Sequence, residues 1–593
     1  MNAPRRPHAA AMIKEDIMHS FHNAVKRYRP AVHEPLPDRT WPDRVIAAAP
    51  RWLSTDLRDG NQSLVNPMDP ARKLSMFRLL VTMGYREIEV GFPSASRDDH
   101  DFLRLLIDKD LIPDDVRITV LVQARDDLIR RTVQSLVGAP RATVHLYNAT
   151  SPLFRRMVLG VDRDGCRQLA VHGTQLMMKY AEESLTDCDL GYQYSPELFN
   201  DTEADFSLEV CEAVMDVWQP EPGRPIILNF PTTVERTMPN VFADRIEWMD
   251  RHLSRREHLC LSVHPHNDRG TGVATAELAV LAGAERIEGC LFGNGERAGN
   301  VDLVTLGLNL FSQGVDPGID FSGLDRIRRT AERCTDLPVH PRHPYAGDLA
   351  YTAFSGSHQD AINKGFAEQS RVAAEQGVPV DEVAWEIPYL PIDPQDVGRA
   401  YESVVRINSQ SGKGGVAYVL SSRLGLHPPR DLQLEFAGLV QSYADAEGGE
   451  IDPERVCALF RDEYVSGSLM VVPVATARPV SAYLHIDGAA FTVGGQRTDE
   501  LERIGRALAR WGVEVRAVHR TGTGLADSTG LVVYAELRVG DETLWGAGIE
   551  AELPAAVSAA VRSAVARVGR TPLASVPRQD QAPAVAPRYA RVG

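Results

Sequence analysis

The chain has 593 residues, which is too long for one compact domain, so we expect about two to four domains. Its 44% hydrophobic and 24% charged residues are typical of a soluble globular protein. The formal charge of −16 is spread without long acidic runs, which argues against nucleic acid or an anionic membrane as the main partner.

The cysteines and the hydropathy pattern indicate where the protein works. Seven cysteines are scattered without a CxxC pair, which predicts a reducing cytoplasm. No apolar run approaches about 18 residues, and the first residues lack the apolar core of a signal peptide. We therefore predict a cytoplasmic protein with no membrane partner.

One pattern recurs from about residue 50 to 315: a short β-rich run, a polar loop and an amphipathic helix. An example of the helices is "PARKLSMFRLLVTMGY", which we expect to begin at Pro70 and to end near Gly84. The predicted strands are 51–59, 87–93, 117–123, 142–150, 187–196, 225–234, 260–268 and 286–293. Eight such units fit a closed (β/α)₈ TIM barrel of about 250 residues better than the alternative, a doubly wound open sheet.

Polar residues cluster at the predicted carboxyl ends of strands, where barrel enzymes place their active sites. In "HPHNDRGTG", His264 and His266 are two residues apart, so both should point to one side of strand 7. We expect Asp59 at the end of strand 1, and Asn300 in the loop "FGNGERAGN" after strand 8, together with Glu296 and Arg297. One carboxylate, two imidazoles and an amide oxygen would converge there as a catalytic metal site with open positions.

Simpler interpretations of these residues remain open. Asp59 could cap the helix or order the turn around Gly60, and Asn300 could cap the helix that begins at "VDLVTL". The two histidines could be hydrogen-bonded or face solvent. The glycines 293, 295 and 299 are spaced GxGxxxG and follow the last strand, which argues against a dinucleotide-binding loop.

Four motifs together carry a family resemblance: "DLRDGNQ", "YQYSPELFNDTE", "HPHNDRGTG" and "GNGERAGNVDL". They are similar to the acyl-CoA-condensing branch of the metal-dependent pyruvate carboxyltransferase barrels. The chain resembles the 2-isopropylmalate synthase family in its long actinobacterial form, from about residue 20 to 420 and more weakly to about 568.

The resemblance implies a reaction and its cofactors. Acetyl-CoA, the co-substrate, condenses with 3-methyl-2-oxobutanoate to give (2S)-2-isopropylmalate and CoA, the first committed step of leucine biosynthesis. A divalent metal is implied, Mg²⁺ first, with Mn²⁺ and Zn²⁺ as alternatives. A homodimer is implied as well.

The resemblance also implies roles for single residues. Arg58 would orient the 2-oxo acid and stabilise the oxyanion. Glu197 and His358 are both candidates for the base, and His358 and Tyr389 are similar to linker residues that reach the site of a neighbouring subunit. The metal would be held by Asp59, His264, His266 and Asn300. The 2-oxo acid pocket would be formed by Leu121, His145, Ser195, Glu197, Asn229, Pro231 and Thr233.

Beyond the barrel, Pro-rich turns and short helices predict a helical linker, and a strand–helix pattern from about 478 resembles a leucine-sensing α+β regulatory domain. The predicted domains are an N-terminal extension (1–45), the barrel (46–325), helical linker subdomains (326–430), a connecting segment (431–477), a C-terminal regulatory-type domain (478–569) and a disordered tail (570–593).

The sequence departs from the family at one turn. Where the sensor domain usually has a GNGP-type turn, this chain has "VGGQRTDEL" at 493–501, so we expect weak or absent leucine inhibition. Alternative functions are a paralogous condensing enzyme of the citramalate, homocitrate or benzylmalate synthase type, a lyase of the same superfamily, and an inactive ligand-binding regulator.

Overall fold

Two compact units make up the chain, Met1–Ala350 with Asp396–Gly398, and Tyr351–Gln395 with Arg399–Gly593. The structure is a computed structural model that describes residues 36–353, 355–399, 407–408, 413–447, 450–465, 513–522, 531–539, 541–551 and 553–567.

The first unit contains a closed barrel in which eight parallel strands pair in chain order and β1 also pairs with β8. The predicted TIM barrel is confirmed. Every residue of β6 and β7 is buried, as expected for parallel strands covered by helices. The strands are β1 Arg51–Ser54, β2 Glu87–Gly91, β3 Arg117–Gln123, β4 Arg141–Ala149, β5 Asp189–Glu197, β6 Ile226–Pro231, β7 Leu259–His264 and β8 Arg286–Gly289.

One helix of eight residues or more follows each strand, and a ninth closes this unit. Helix α1 begins at Pro70 behind the capping carboxylate of Asp69 and ends at Gly84, whose φ of 106° suits glycine. The helices are α1 Pro70–Met83, α2 Arg97–Asp108, α3 Asp126–Ser135, α4 Arg163–Ser184, α5 Ala204–Trp218, α6 Pro239–His252, α7 Gly272–Leu281, α8 Leu303–Ser312 and α9 Leu324–Thr335.

Several predicted strands were too long at their carboxyl ends. Strand β1 stops at Ser54, and Asp59 instead opens a short helical turn, Asp59–Gln62. The cause is local: the Thr55 carbonyl accepts from the backbone N–H groups of Arg58 and Gly60, which folds the chain into a turn. Strand β7 likewise stops at His264, so His266 lies two residues beyond it.

Of the predicted N-terminal extension, residues 36–45 are described, and they pack on helix α6. The Trp41 indole N–H donates to Asp244 at 2.8 Å, and the backbone N–H of Thr40 donates to Glu247 at 2.9 Å. Both acceptor carboxylates are buried, so this segment satisfies charges that would otherwise be costly.

The described part of the second unit combines helices with small antiparallel sheets. Strand β9 pairs with β10, and β11, β12 and β13 form a three-stranded sheet. The elements are α10 Gly356–Gln376, β9 Ile407–Asn408, α11 Lys413–Leu424, α12 Arg430–Glu447, β10 Glu450–Ile451, α13 Pro453–Phe460, β11 Val513–Gly522, β12 Leu531–Val539, β13 Glu542–Glu550 and α14 Leu553–Val565.

The predicted hairpin near Gly540 is confirmed, because β12 and β13 pair up to Val539 and Glu542. Helix α14 packs closely on β13, where a Cβ on Gly546 would lie 2.1 Å from the Ala560 carbonyl oxygen. The predicted strands and helix at 481–512, the turn at 493–501 and the tail at 570–593 lie outside the described residues. Among the described helices, none is both long and apolar enough to cross a bilayer.

Candidate active site at the barrel mouth

Three of the predicted metal ligands meet at the carboxyl end of the barrel. Oδ2 of Asp59 lies 3.6 Å from Nε2 of His264 and 3.7 Å from Nε2 of His266. The two imidazole rings stack with centroids 5.1 Å apart, so they point to the same side as predicted, although His266 lies two residues beyond the strand. Oδ1 of Asn300, the fourth predicted ligand, lies 2.7 Å from Nε2 of His264.

Asp59 and Asn300 are not helix caps, so the capping interpretations of these two residues are wrong. Asp302, not Asn300, caps helix α8, since its side chain accepts from the Val304 N–H. The Asp59 side chain caps no helix, and its Oδ2 atom is buried without a hydrogen-bond partner among the described residues. A buried carboxylate oxygen that faces two imidazole nitrogens and lacks a hydrogen-bond partner fits a metal-binding site.

Buried charges beneath His264 fix its orientation. Glu288 lies 3.0 Å from Nδ1 of His264, and Arg286 donates to the other Glu288 oxygen at 2.7 Å. The Glu288 carboxylate accepts a hydrogen bond from Nδ1, so Nε2 is left to face Asp59 and Asn300. This arrangement is the one that metal-binding histidines use.

The same charges decide which groups are protonated. Burial opposes charge on His264, but Asp59 and Glu288 raise its pKa to about 10. Burial and the adjacent His264 lower the pKa of His266 to about 3. Burial also opposes charge on Asp59, but Arg58 and the histidines hold its pKa well below the usual range. The surrounding carboxylates therefore favour one positive charge between Asp59 and the two histidines, and a proton or a metal cation can supply it.

Arg58 is held rigidly beside this cluster. Its Nε donates to Glu89 at 2.6 Å, and Nη1 donates to Oδ1 of Asp59 at 3.0 Å. Both carboxylates are buried, so the guanidinium has little freedom to turn away.

A line of buried hydrogen bonds beside the Arg58 guanidinium connects residues of four strands, β2, β4, β5 and β6. Glu89 lies 2.8 Å from Nδ1 of His145, and Nε2 of His145 lies 2.7 Å from the Ser195 hydroxyl. The Asn229 amide also donates to that hydroxyl, at 2.9 Å. The Ser195 oxygen is therefore occupied by two protein partners.

These side chains surround a cavity of about 430 Å³, a size that suits a small ligand. Eleven of the fourteen predicted site residues line it: Arg58, Asp59, Leu121, His145, Ser195, Glu197, Asn229, Pro231, Thr233, His264 and His266. The other lining residues are Gln62, Phe92, Tyr147, Glu296 and Arg297. Burial raises the pKa of Glu197, although Arg58 opposes this shift.

The other two predicted catalytic residues, His358 and Tyr389, belong to the second compact unit. Their rings stack with centroids 4.0 Å apart, and Tyr389 is 61% exposed. Tyr389 is therefore a surface residue of that unit, and His358 beside it is partly exposed.

Sequence reasoning missed the supporting carboxylates Glu89 and Glu288, as well as Gln62, Phe92 and Tyr147. A signal was present for the first two, because a charged residue inside an apolar barrel strand is expected only where it is paired. Tyr147 is two residues after His145 on β4, so it could have been assigned to the same face.

Comparison with known proteins agrees with this geometry. A family model described as HMGL-like matches residues 49–331, and one described as alpha-isopropylmalate synthase, post-catalytic domain-like, matches residues 348–421. The 2-isopropylmalate synthase of Streptosporangium roseum is 68% identical over 552 residues, covering 92% of this chain and 95% of that protein. The protein of the same name from Thermobifida fusca is 59% identical, covering 91% and 97%. The chain therefore belongs to the 2-isopropylmalate synthase family, acetyl-CoA-dependent condensing transferases, as its motifs predict.

Proposed function

We propose that the barrel mouth is where this chain condenses acetyl-CoA with 3-methyl-2-oxobutanoate to form (2S)-2-isopropylmalate and CoA. The observation that carries the proposal is the convergence of Asp59, His264 and His266 beside Arg58 at the edge of one cavity. That combination suits a 2-oxo acid, which is an anion with two oxygens placed to chelate a cation.

The proposed metal ligands are Asp59, His264, His266 and Asn300. Their mixed nitrogen and oxygen donors suit a divalent ion that accepts imidazole, such as Mn²⁺ or Zn²⁺. The family resemblance places Mg²⁺ first, and the oxygens of Asp59 and Asn300 are ligands that Mg²⁺ prefers. When bound there, such an ion supplies Lewis-acid polarisation of the keto group.

Arg58 is the proposed partner of the oxyanion that forms when the keto carbon is attacked. Its fixed guanidinium, held by Glu89 and Asp59, can face developing negative charge without reorganising. Lysine could not reproduce this role, because it lacks the planar fork that binds both carboxylates at once.

Glu197 is the proposed base that removes a proton from the acetyl methyl group. It is the last residue of β5 and lines the cavity, and burial raises its pKa, which makes its carboxylate a stronger base. The sequence also made His358 a candidate for this base. We propose that His358 serves the neighbouring subunit's site, and that Glu197 is the base within its own barrel.

The remaining cavity residues support an alkyl side chain on the 2-oxo acid. Leu121 and Pro231 are apolar, and the Ser195 hydroxyl already has two protein partners. Asn229 Oδ1 has no hydrogen-bond partner among the described residues, but it is an acceptor and cannot stabilise a second carboxylate. This part of the cavity therefore favours an alkyl chain over the second carboxylate of 2-oxoglutarate, for which Arg297, in the rest of the lining, is a partner of suitable charge.

We further propose a cytoplasmic homodimer in which His358 and Tyr389 complete the partner's site. All seven cysteines are free, which suits a reducing compartment. The exposed Tyr389 ring stacks on the partly exposed His358, and a partner subunit can use this surface feature.

The test is release of CoA thiol from acetyl-CoA with 3-methyl-2-oxobutanoate, pyruvate, 2-oxoglutarate and phenylpyruvate in the presence of Mg²⁺ or Mn²⁺. We expect the highest kcat/KM with 3-methyl-2-oxobutanoate. A higher kcat/KM with any other acid would contradict the assignment of substrate.

A further inference from the structure

Three residues around the cavity have a backbone conformation that side chains usually avoid. Leu198, Thr233 and Arg297 have φ values of 64°, 52° and 58°. They follow three different strands, β5, β6 and β8 respectively. Left-handed backbone is rare for residues other than glycine and is most unusual for a β-branched residue such as Thr233, so surrounding contacts must hold it.

Hydrogen bonds connect these three residues in a line. The backbone N–H of Leu198 donates to the Thr233 hydroxyl at 3.0 Å. Nη2 of Arg297 donates to the Thr233 carbonyl oxygen at 2.6 Å. Thr233 is therefore held from both sides, by its hydroxyl and by its carbonyl.

Arg297 is itself anchored to a fourth loop, the one after β7. Its Nε and Nη2 donate to the two oxygens of Asp268, at 2.6 and 3.0 Å. Asp268 also accepts from the backbone N–H of Glu235, at 2.8 Å, two residues after Thr233. A planar guanidinium can make these bonds to a carboxylate and a carbonyl together, whereas an ammonium group cannot reproduce the fork.

The line of hydrogen bonds ends beside the proposed base. Leu198 directly follows Glu197, and the peptide that joins them is held at its N–H by the Thr233 hydroxyl and at its carbonyl by the backbone N–H and hydroxyl of Thr150, at 3.1 and 3.0 Å. The orientation of this peptide sets the direction in which the Glu197 side chain leaves the backbone.

The Val234 N–H also donates to the Thr232 carbonyl across Thr233, so Arg297 is one of the contacts that hold this conformation. We expect the Thr233 hydroxyl to shift relative to Leu198 when the bond from Arg297 is lost.

We propose that Arg297 is a positioning residue that, through Thr233 and Leu198, aims the Glu197 carboxylate at the acetyl methyl group. This inference rests on the proposed function, in which Glu197 removes the methyl proton. Because Arg297 also lines the cavity, the test must separate positioning of the base from direct contact with the 2-oxo acid.

The experiment compares Arg297→Gln and Arg297→Lys with Asp268→Asn, which removes the anchoring charge from a residue outside the cavity lining. Arg255→Gln is the matched control. Arg255 also has a positive φ, of 55°, and also pairs with a carboxylate, Asp216, at 2.7 Å, and with a backbone carbonyl, that of Met215, at 3.0 Å. It precedes β7, at the end of the barrel away from the cavity.

The measurements are kcat, KM for the 2-oxo acid, and the isotope effect with acetyl-CoA deuterated at the methyl group. A misplaced base slows C–H cleavage, so we expect Arg297→Gln to lower kcat by about 10- to 100-fold and to raise the isotope effect, with KM little changed. Arg297→Lys and Asp268→Asn should show smaller changes in the same direction, and Arg255→Gln should match the wild type.

Three outcomes are informative. A raised KM with an unchanged isotope effect would show that Arg297 contacts substrate and would overturn the positioning role. If Arg297→Gln and Asp268→Asn both behave like Arg255→Gln, the positioning role is also overturned, while the proposed function stays intact. A wild-type protein that releases no CoA would refute the proposed function and this role with it.

Discussion

The Ser195 hydroxyl lies 2.7 Å from Nε2 of His145, and the two side chains form part of the cavity wall with both groups almost fully buried. The contact belongs to a line from Glu89 to Asn229 in which each hydrogen bond depends on its neighbours. Such a network is costly to interrupt, because a buried polar atom that loses its partner keeps its desolvation penalty.

Ser195→Ala should therefore lower the thermal stability of the barrel. We expect a loss of about 1–3 kcal/mol, since both His145 Nε2 and Asn229 Nδ2 lose a partner. Thermal unfolding followed by tryptophan fluorescence measures the change. Ser207→Ala is the control, because Ser207 is equally buried and its hydroxyl has no hydrogen-bond partner among the described residues. Equal effects of the two substitutions would contradict the prediction.

The buried carboxyl of Asp56 should make stability depend on pH. Burial raises its pKa to about 7, although hydrogen bonds from Ser54 and the Leu291 N–H oppose the shift. The folded state then binds more protons than the unfolded state between about pH 4 and pH 7, so stability falls as pH rises through this range.

Asp56→Asn removes this titration. We expect the melting temperature of the variant to decline less than that of the wild type between about pH 5 and pH 8. Asp114→Asn, at an exposed position, serves as control and should follow the wild type. Parallel pH profiles for Asp56→Asn and the wild type would show that Asp56 does not titrate as described.

Shared active sites predict complementation between inactive subunits. His358→Ala and Asp59→Ala should each abolish most turnover, and a mixed dimer should recover part of it, because one of its two sites then has both groups intact. CoA release by verified heterodimers measures the recovery, with Asp59→Ala homodimers as the baseline. Absence of recovery would argue against a site completed by His358 of the partner.

Leucine should inhibit this protein weakly or not at all. The segment 493–501, for which the sequence predicts a turn, carries Gln496, Arg497 and Thr498 where the family's sensor usually has a glycine-rich turn. We expect leucine to bind at least about tenfold more weakly than to a typical family member, which corresponds to a loss of about 1.4 kcal/mol of binding free energy. Isothermal titration of the intact protein with leucine measures it; tight, saturable binding with inhibition at the same concentrations would show that the altered turn still functions.

The order of strands and helices could be predicted from the sequence because each parallel strand is an apolar run and each helix has its own end signals. Strand β3 was placed at its observed bounds for this reason. The end of β1 could not be placed, because the turn after it depends on the Thr55 carbonyl rather than on glycine or proline.

The ligand cluster was predictable because strand-end residues of a closed barrel must converge. The two-residue period of extended backbone was enough to predict that His264 and His266 point to the same side. The link from Arg297 to Leu198 was not predictable, since a left-handed conformation at Thr233 has no local sequence signal. It arises from contacts between loops that are 35 and 64 residues apart along the chain.

The measurement that tests the account most directly is metal binding and turnover by His264→Ala after complete removal of divalent ions. Mn²⁺ binding is followed by electron paramagnetic resonance, and CoA release is followed on readdition of Mg²⁺ or Mn²⁺. His172→Ala, at an exposed position on α4, is the control. We predict that the wild type and the control bind Mn²⁺ and recover turnover. His264→Ala should remain folded but lose both properties, because one of four ligands is gone. Near wild-type Mn²⁺ binding and CoA release by His264→Ala would contradict the metal site at the barrel mouth.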